Sequence, residues 1–265
     1  MKRLFAIILF LSAAMLSYSQ NDRARLMPVT TNSKSALALY NEAKKYYDDV
    51  KLDKALTTFK KALDQDQDFF MANYQLALYY LMNRDSEDFR EYAESATGCK
   101  ENLSDAEQLL KGALERLAGG NTNITESGNK LVDMYPGDPE AYNNLVYFQT
   151  ISGDIKGMVE TLLKAIKIAS KAAPFYNQLG YAYLTLKEDD KAEESFDKYI
   201  ELDPDNPNAY DSKGDFYMYE KKYEQAYESY IKANSMDSSF SHDKAEAAKQ
   251  LYEQTEGKKL KIISL

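Results

Sequence analysis

The stretch "APFYNQLGYAYLTLKEDDKAEESFDKYIELDPDN", residues 173–206, reads as two helices and two stops. Tyr176, Leu179, Gly180 and Tyr183 fall at helical spacing, as do Ala192, Phe196, Tyr199 and Ile200, so each helix carries one apolar face. Gly180 and Ala192 are the expected points of closest approach within the pair, because only a missing or tiny side chain lets two backbones come together there. A larger side chain at Gly180 should overpack, at a cost of about 1 to 3 kcal/mol. Asp203-Pro204 ends the second helix. Asn206-Pro207 opens another, with a cap and a proline in the first turn, where no backbone donor is lost. A helix pair cannot bury both of its faces alone, so a firm stop followed at once by a new start hands the open face to a neighbour.

The neighbours are present in the chain. A shift of 34 residues carries Tyr176 to Tyr210, Gly180 to Gly214, Tyr183 to Tyr217, Ala192 to Ala226 and Phe196 to Tyr230. The reverse shift carries Tyr176 to Tyr142 and Leu179 to Leu145. Near the start, Tyr40 maps to Tyr74, Ala43 to Ala77, Tyr46 to Tyr80 and Ala62 to Ala96. Asp138-Pro139 repeats the stop-and-start device, and Ser104-Asp105-Ala106-Glu107 offers a capping box at the same phase.

Tyr176, Leu179, Gly180, Tyr183, Ala192, Phe196 and Pro204 together resemble the tetratricopeptide repeat, a 34-residue helix-turn-helix. Tyr199 stands where the motif has a third alanine. The resemblance implies an all-α fold, a right-handed α-solenoid of about six units at 36–69, 70–103, 105–138, 139–172, 173–206 and 207–240, with Ser104 as a one-residue insertion. The second and third units depart most, with Phe89 at an alanine position and Gly128 at an aromatic one. A helix at 241–256, with Ala245, Ala248, Leu251 and Tyr252 on one face, reads as the terminal cap, followed by a tail at 257–265 that frays, packs on the cap or docks on a partner.

In such proteins the stacked first helices line a concave groove for an extended peptide or a partner's helix. Carried onto this chain, the groove positions are Tyr40, Lys44 and Tyr47; Tyr74 and Leu78; Arg116; Asn143 and Tyr147; Asn177 and Tyr181; and Asp211 and Asp215. The first half of that groove is aromatic and aliphatic and the last half polar and acidic, which suits a ligand with a hydrophobic segment followed by a polar or basic one. Several of the tyrosines have a second reading, as packing between neighbouring first helices. A carboxylate clamp is not reproduced, because Tyr40 and Lys44 stand where lysine and asparagine would be needed.

Lys2 and Arg3 precede an uncharged apolar run from Leu4 to Leu16, followed by Ser17, Tyr18, Ser19 and Gln20. That pattern reads as a secretory signal at 1–19, removed after Ser19, with a linker at 20–35. A retained N-terminal anchor is the other reading. No cysteine stands near the cut, so a lipid anchor is not expected. Export to the periplasm or cell envelope, or secretion, follows as the expected location, with no membrane insertion once the signal is cut.

The formal net charge is −9 and becomes more negative when Lys2 and Arg3 leave, which argues against a nucleic-acid partner. The 22 tyrosines and 11 phenylalanines, with no tryptophan, suit thin cores and contact surfaces. Cys99 is the single cysteine, so no internal disulfide forms, and it reads as a small buried apolar residue. His242 is the single histidine and enters the cap helix, a solvated or capping place, which excludes most histidine-based triads and His-rich zinc sites. "DQDQDFF", Asp64 to Phe70, begins like a calcium loop but puts Phe69 where glycine is needed and Gln75 where a bidentate glutamate belongs. It reads as a turn whose carboxylates cap the next helix. Asn102 and Asn123 fit the short glycosylation pattern. The expectation is a non-enzymatic scaffold for protein–protein interaction, with no cofactor or metal. The alternative is a structural subunit of an envelope-assembly or secretion complex, held through its convex face and tail.

Overall fold

The computed structural model of the chain describes residues 25–260. The signal at 1–19, the first residues of the linker and the end of the tail lie outside them. Among the described residues there are thirteen helices and no strand, an all-α solenoid of helical hairpins. They are α1 (Lys34–Asp48), α2 (Leu52–Gln65), α3 (Phe70–Met82), α4 (Ser86–Thr97), α5 (Asp105–Ala118), α6 (Thr125–Met134), α7 (Pro139–Ser152), α8 (Ile155–Ile168), α9 (Ala173–Leu186), α10 (Asp189–Leu202), α11 (Pro207–Tyr219), α12 (Tyr223–Met236) and α13 (His242–Glu256).

The turn inside each hairpin is built the same way. Lys51, Asp85, Asn121, Asp154, Glu188 and Lys222 each donate a backbone N–H to the carbonyl five residues back, at 2.8 to 2.9 Å. This is the bond of a Schellman cap, and it requires a left-handed residue just before the donor. Gly120 and Gly153 supply it without strain, whereas Val50, Arg84, Lys187 and Lys221 adopt φ of 58 to 60°. Val50, branched at Cβ, fits that region worst. Between hairpins, Asp138 and Asn206 accept the N–H of Glu140 and Asn208, each at 3.0 Å, and Pro139 and Pro207 occupy the first turn. Ser104 and Glu107 form a reciprocal capping box. The Asp64–Phe70 turn differs from expectation, because α3 has no side-chain cap. Asp66 instead accepts from the Asp68 N–H within the turn, and Asp68 from the Lys100 N–H in the turn after α4.

The described residues form two compact units. The first holds residues 25–47 and 51–154, with α1 to α7; the second holds 155–260 together with 48–50, with α8 to α13. The division falls between α7 and α8, inside the fourth repeat.

In the first unit α3 is the central element. Nine consecutive residues, Phe70 to Leu78, are buried, so the helix is covered on every side. Its sequence, FMANYQLALYYLM, is apolar nearly all round, which is the composition of an enclosed helix. Gly128 on α6 has a specific use: a Cβ there would lie 2.8 Å from Leu145 Cδ1 and 2.9 Å from Leu145 Cα, so the missing side chain admits the backbone of α7. Cys99 is buried, with its Sγ donating to the Asp68 carbonyl at 3.0 Å, and burial pushes its thiol up.

In the second unit two glycines 34 residues apart receive aromatic rings. A Cβ at Gly180 would meet the Phe196 ring at 2.6 Å, and one at Gly214 the Tyr230 ring at 2.5 Å. The nearest neighbour of Gly180 is thus the Phe196 ring, and Ala192 is fully buried. On α13, Ala245 and Ala248 are buried against Ala226, Tyr227 and Tyr230, and Leu260 from the tail joins that cluster. His242 is the first residue of α13 and is exposed, while Ser241 before it makes no side-chain cap.

Candidate functional site

The inner positions of the first helices have different fates in the two units. In the first unit they turn on one another. Tyr40, Tyr74 and Leu78 are 3%, 0% and 4% exposed, so they belong to the core and present no surface to a ligand. Tyr40 lies against Phe59 and Phe69, with ring centroids 5.5 and 5.3 Å away. The Tyr74 hydroxyl donates to Asn144 Oδ1 at 2.7 Å, tying α3 to α7. Tyr47 and Tyr147 share a hydrogen bond at 2.9 Å across one hundred residues of sequence, tying α1 to α7.

Glu140, in the first turn of α7, gathers the remaining polar groups. Lys44 Nζ donates to its two carboxylate oxygens at 3.3 and 3.2 Å, Gln75 Nε2 to Oε1 at 3.4 Å and Asn143 Nδ2 to Oε2 at 3.4 Å. The Lys44 ammonium also lies 5.6 Å from the centre of the Tyr47 ring. Here the carboxylate is fed by three helices and also sits at a helix N-terminus, where negative charge is favoured. Arg116 stands apart from this group, reaching Ser127 on α6 at 2.8 Å with its guanidinium.

In the second unit the inner positions stay nearer the surface. Asn177 and Tyr181 on α9 and Asp211 and Asp215 on α11 are all partly or well exposed, Tyr181 at 37%. The Tyr181 hydroxyl donates to Asp215 Oδ2 at 2.9 Å and the Tyr230 hydroxyl to Asp215 Oδ1 at 2.7 Å. From the cap helix, Lys244 Nζ reaches Asp211 at 2.7 Å and Asp215 at 2.8 Å, and Ser241 donates to Asp211. The acid pair expected to await a basic ligand therefore already holds a lysine of the chain itself. Exposed ion pairs of this kind contribute at most about 1 kcal/mol, so the contact orients the cap more than it holds the fold. Asn177 Oδ1 is buried and has no hydrogen-bond partner.

Lys244 and Glu140 were not singled out in the sequence. Lys244 is one of many charges on a polar helix, and no local pattern sets it opposite Asp211 and Asp215, about one repeat earlier. Glu140 could have been noticed as the acid that follows the Asp138-Pro139 cap.

The buried hydroxyls make alkaline pH the natural stress. Burial pushes Tyr74 and Tyr147 well above the usual phenol value and Tyr199 from 10.0 to about 12. A raised folded-state value means that the contribution of the neutral ring is intact below the free value and is lost as pH rises through the folded one. Stability should accordingly hold up to about pH 10 and fall between there and about 12. Part of the tyrosinate absorbance should appear only as helical circular dichroism is lost; full ionisation with intact helices would contradict this burial.

The repeated helix pairs, closed by the same turns and restarted by the same caps, are those of a helical-repeat protein. Tetratricopeptide repeat models match residues 40–104, 173–206 and 207–240. The chain belongs to the tetratricopeptide repeat family. Among solved structures, a tetratricopeptide repeat protein from Parabacteroides merdae aligns with a TM-score of 0.51 at 16% identity, covering 83% of this chain and 85% of that one, which shows a shared fold. A thermophilic repeat protein of Thermus thermophilus aligns with a TM-score of 0.48 at 20% identity, over 80% of this chain and 98% of that one. No curated protein matches the chain. Repeats of this family mediate protein–protein interaction and in general form non-catalytic scaffolds.

Proposed function

We propose that the protein is an exported scaffold that binds an extended segment of another protein at the inner faces of α9 and α11. The observation that carries this reading is the pairing of exposed Tyr181 with Asn177, one turn earlier on α9, whose buried Oδ1 is unpaired. A buried acceptor without a partner costs roughly 1–3 kcal/mol, which a ligand N–H recovers once a shift of the Asn177 side chain opens Oδ1 to the inner face. Tyrosine beside it supplies contact area at little entropic cost. Tyr219 on α11 is a further exposed ring, 47% exposed. The rigid helix pairs are ordered on folding, so the ligand alone loses freedom on binding. Export rests on the apolar run behind Lys2 and Arg3, and among the described residues no helix is long and apolar enough to cross a membrane.

A photoreactive residue in place of Tyr181 should crosslink a partner in cell-envelope fractions. The same residue in place of exposed Glu228 on α12 should not. Equal crosslinking from both positions would move the site off the inner face. Efficient capture from Glu228 alone would favour the structural-subunit alternative.

A further inference from the structure

A linker was expected at 20–35, and its described non-helical part, residues 25–33, is held in the structure. The segment carries no helix before Lys34, yet it meets the turns between successive repeats one after another. Thr31 Oγ1 donates to Asp66 in the turn after α2, and Asn32 Nδ2 to Glu101 Oε1 in the turn after α4, at 3.0 Å. Thr30 engages Glu107 of α5 twice, with its N–H on Oε1 at 2.7 Å and its hydroxyl on Oε2 at 2.6 Å. The Met27 N–H donates to Asp138 Oδ2 at 2.6 Å, and its side chain is 7% exposed in the core of the first unit. The Arg25 guanidinium lies 5.0 Å from the centre of the Tyr135 ring. These partners are separated from the segment by 35 to 111 residues, so local chain geometry does not account for the contacts.

Two of the acceptors, Glu107 and Asp138, are buried. Glu107 is fully buried, a place where a carboxylate is stable only with its hydrogen bonds complete. The Ser104 N–H and hydroxyl both donate to Oε2, at 2.9 and 2.7 Å, and the segment adds the two Thr30 donors, of which the N–H is the only one on Oε1 among the described residues. Asp138 divides its two oxygens, Oδ1 to the helix cap at Glu140 and Oδ2 to Met27. Burial raises both Asp138 and Glu101, the second helped by Asp66 nearby.

We propose that this acid-lined edge is a second peptide-binding site, separate from the inner helix faces. Its ligand class is an extended segment that offers a buried apolar side chain, backbone N–H donors and neighbouring hydroxyls, and residues 27–32 are its resident ligand in cis. Pro28 suits the role, since proline favours extended backbone and presents no donor of its own. Tethered directly to α1, the segment faces the edge at an effective concentration on the order of millimolar, so it holds the site against free peptides of similar affinity.

The test uses the full chain and a labelled peptide of residues 25–33. Changing Met27→Asp, Thr30→Ala and Thr31→Ala weakens the resident segment and leaves every edge carboxylate in place. That chain should bind the peptide saturably, and wild-type chain at least tenfold more weakly, because its own segment fills the edge. Adding Asp138→Asn and Glu107→Gln to the weakened chain should abolish binding; asparagine keeps the cap to Glu140 and loses the acceptor for Met27. If Met27→Asp unfolds the unit, judged by circular dichroism, the two threonine changes alone are used with the same expectations. In the otherwise wild-type chain, Asp138→Asn with Glu107→Gln should speed exchange of the Met27 and Thr30 amides at least tenfold. Equal peptide binding by wild-type and weakened chains, no binding by the weakened chain at millimolar peptide, or unchanged exchange would each overturn the proposal.

Discussion

Replacing Tyr74 by alanine should destabilise the first unit by about 3–5 kcal/mol, the cost of removing a large aromatic body from a packed interior. The ring is fully buried and stacks on Phe70 with centroids 5.8 Å apart. Its hydroxyl donates to Asn144 Oδ1 at 2.7 Å, and Asn144 Nδ2 in turn donates to the Glu140 carbonyl at 2.8 Å. Alanine therefore opens a cavity and strands an acceptor on α7. Tyr74→Phe separates the two effects, because it keeps the ring and should cost only the unpaired acceptor, about 1–3 kcal/mol. Urea unfolding followed by circular dichroism reads both. A tyrosine that merely lined a groove would change stability by no more than about 0.5 kcal/mol.

The second large effect lies at Phe196. Its ring is fully buried, lies 5.1 Å from Tyr181 and 6.0 Å from Phe216, and fills the space left by Gly180. Phe196→Ala should cost about 3–5 kcal/mol. Gly180→Ala alone should also destabilise, because the new Cβ meets the ring at 2.6 Å while the backbone gains only about 1 kcal/mol of helix propensity. Combined, the two should be far from additive. With the ring gone, Gly180→Ala should become neutral or stabilising, a change of sign that a thermodynamic cycle detects. Additive effects would mean that ring and glycine do not face each other. Gly214 and Tyr230 offer the same test one repeat later.

The repeat was legible because its signals are local and recur. Asn206-Pro207, Asp138-Pro139 and the Ser104 box each act within a few residues, and each is found as a cap in the structure. Gly180 was legible as a close approach, but the ring that fills its place was not, since Phe196 reaches it from across the hairpin. The left-handed turn residues recur with the repeat too, yet Val50, Arg84, Lys187 and Lys221 bear no glycine to announce them.

The site was less legible for a different reason. Equivalent positions in a repeat share a phase and need not share an environment. Leu78 and Tyr181 occupy equivalent places on first helices, but α3 is enclosed and α9 has an open face. The all-round apolar composition of α3 carried that distinction, and a phase-based assignment passed over it. Contacts such as Thr30 with Glu107, or Lys244 with Asp215, join polar residues far apart in sequence. Neither has a periodic signature.

Amide hydrogen exchange across the whole chain would test the account most directly. If the inner faces of the first unit are its core, the amides of Phe70 to Leu78 should be its slowest and should exchange only when that unit unfolds globally. Exchange of α3 as fast as that of α4, whose surface is largely exposed, would show an open groove and contradict the enclosed centre.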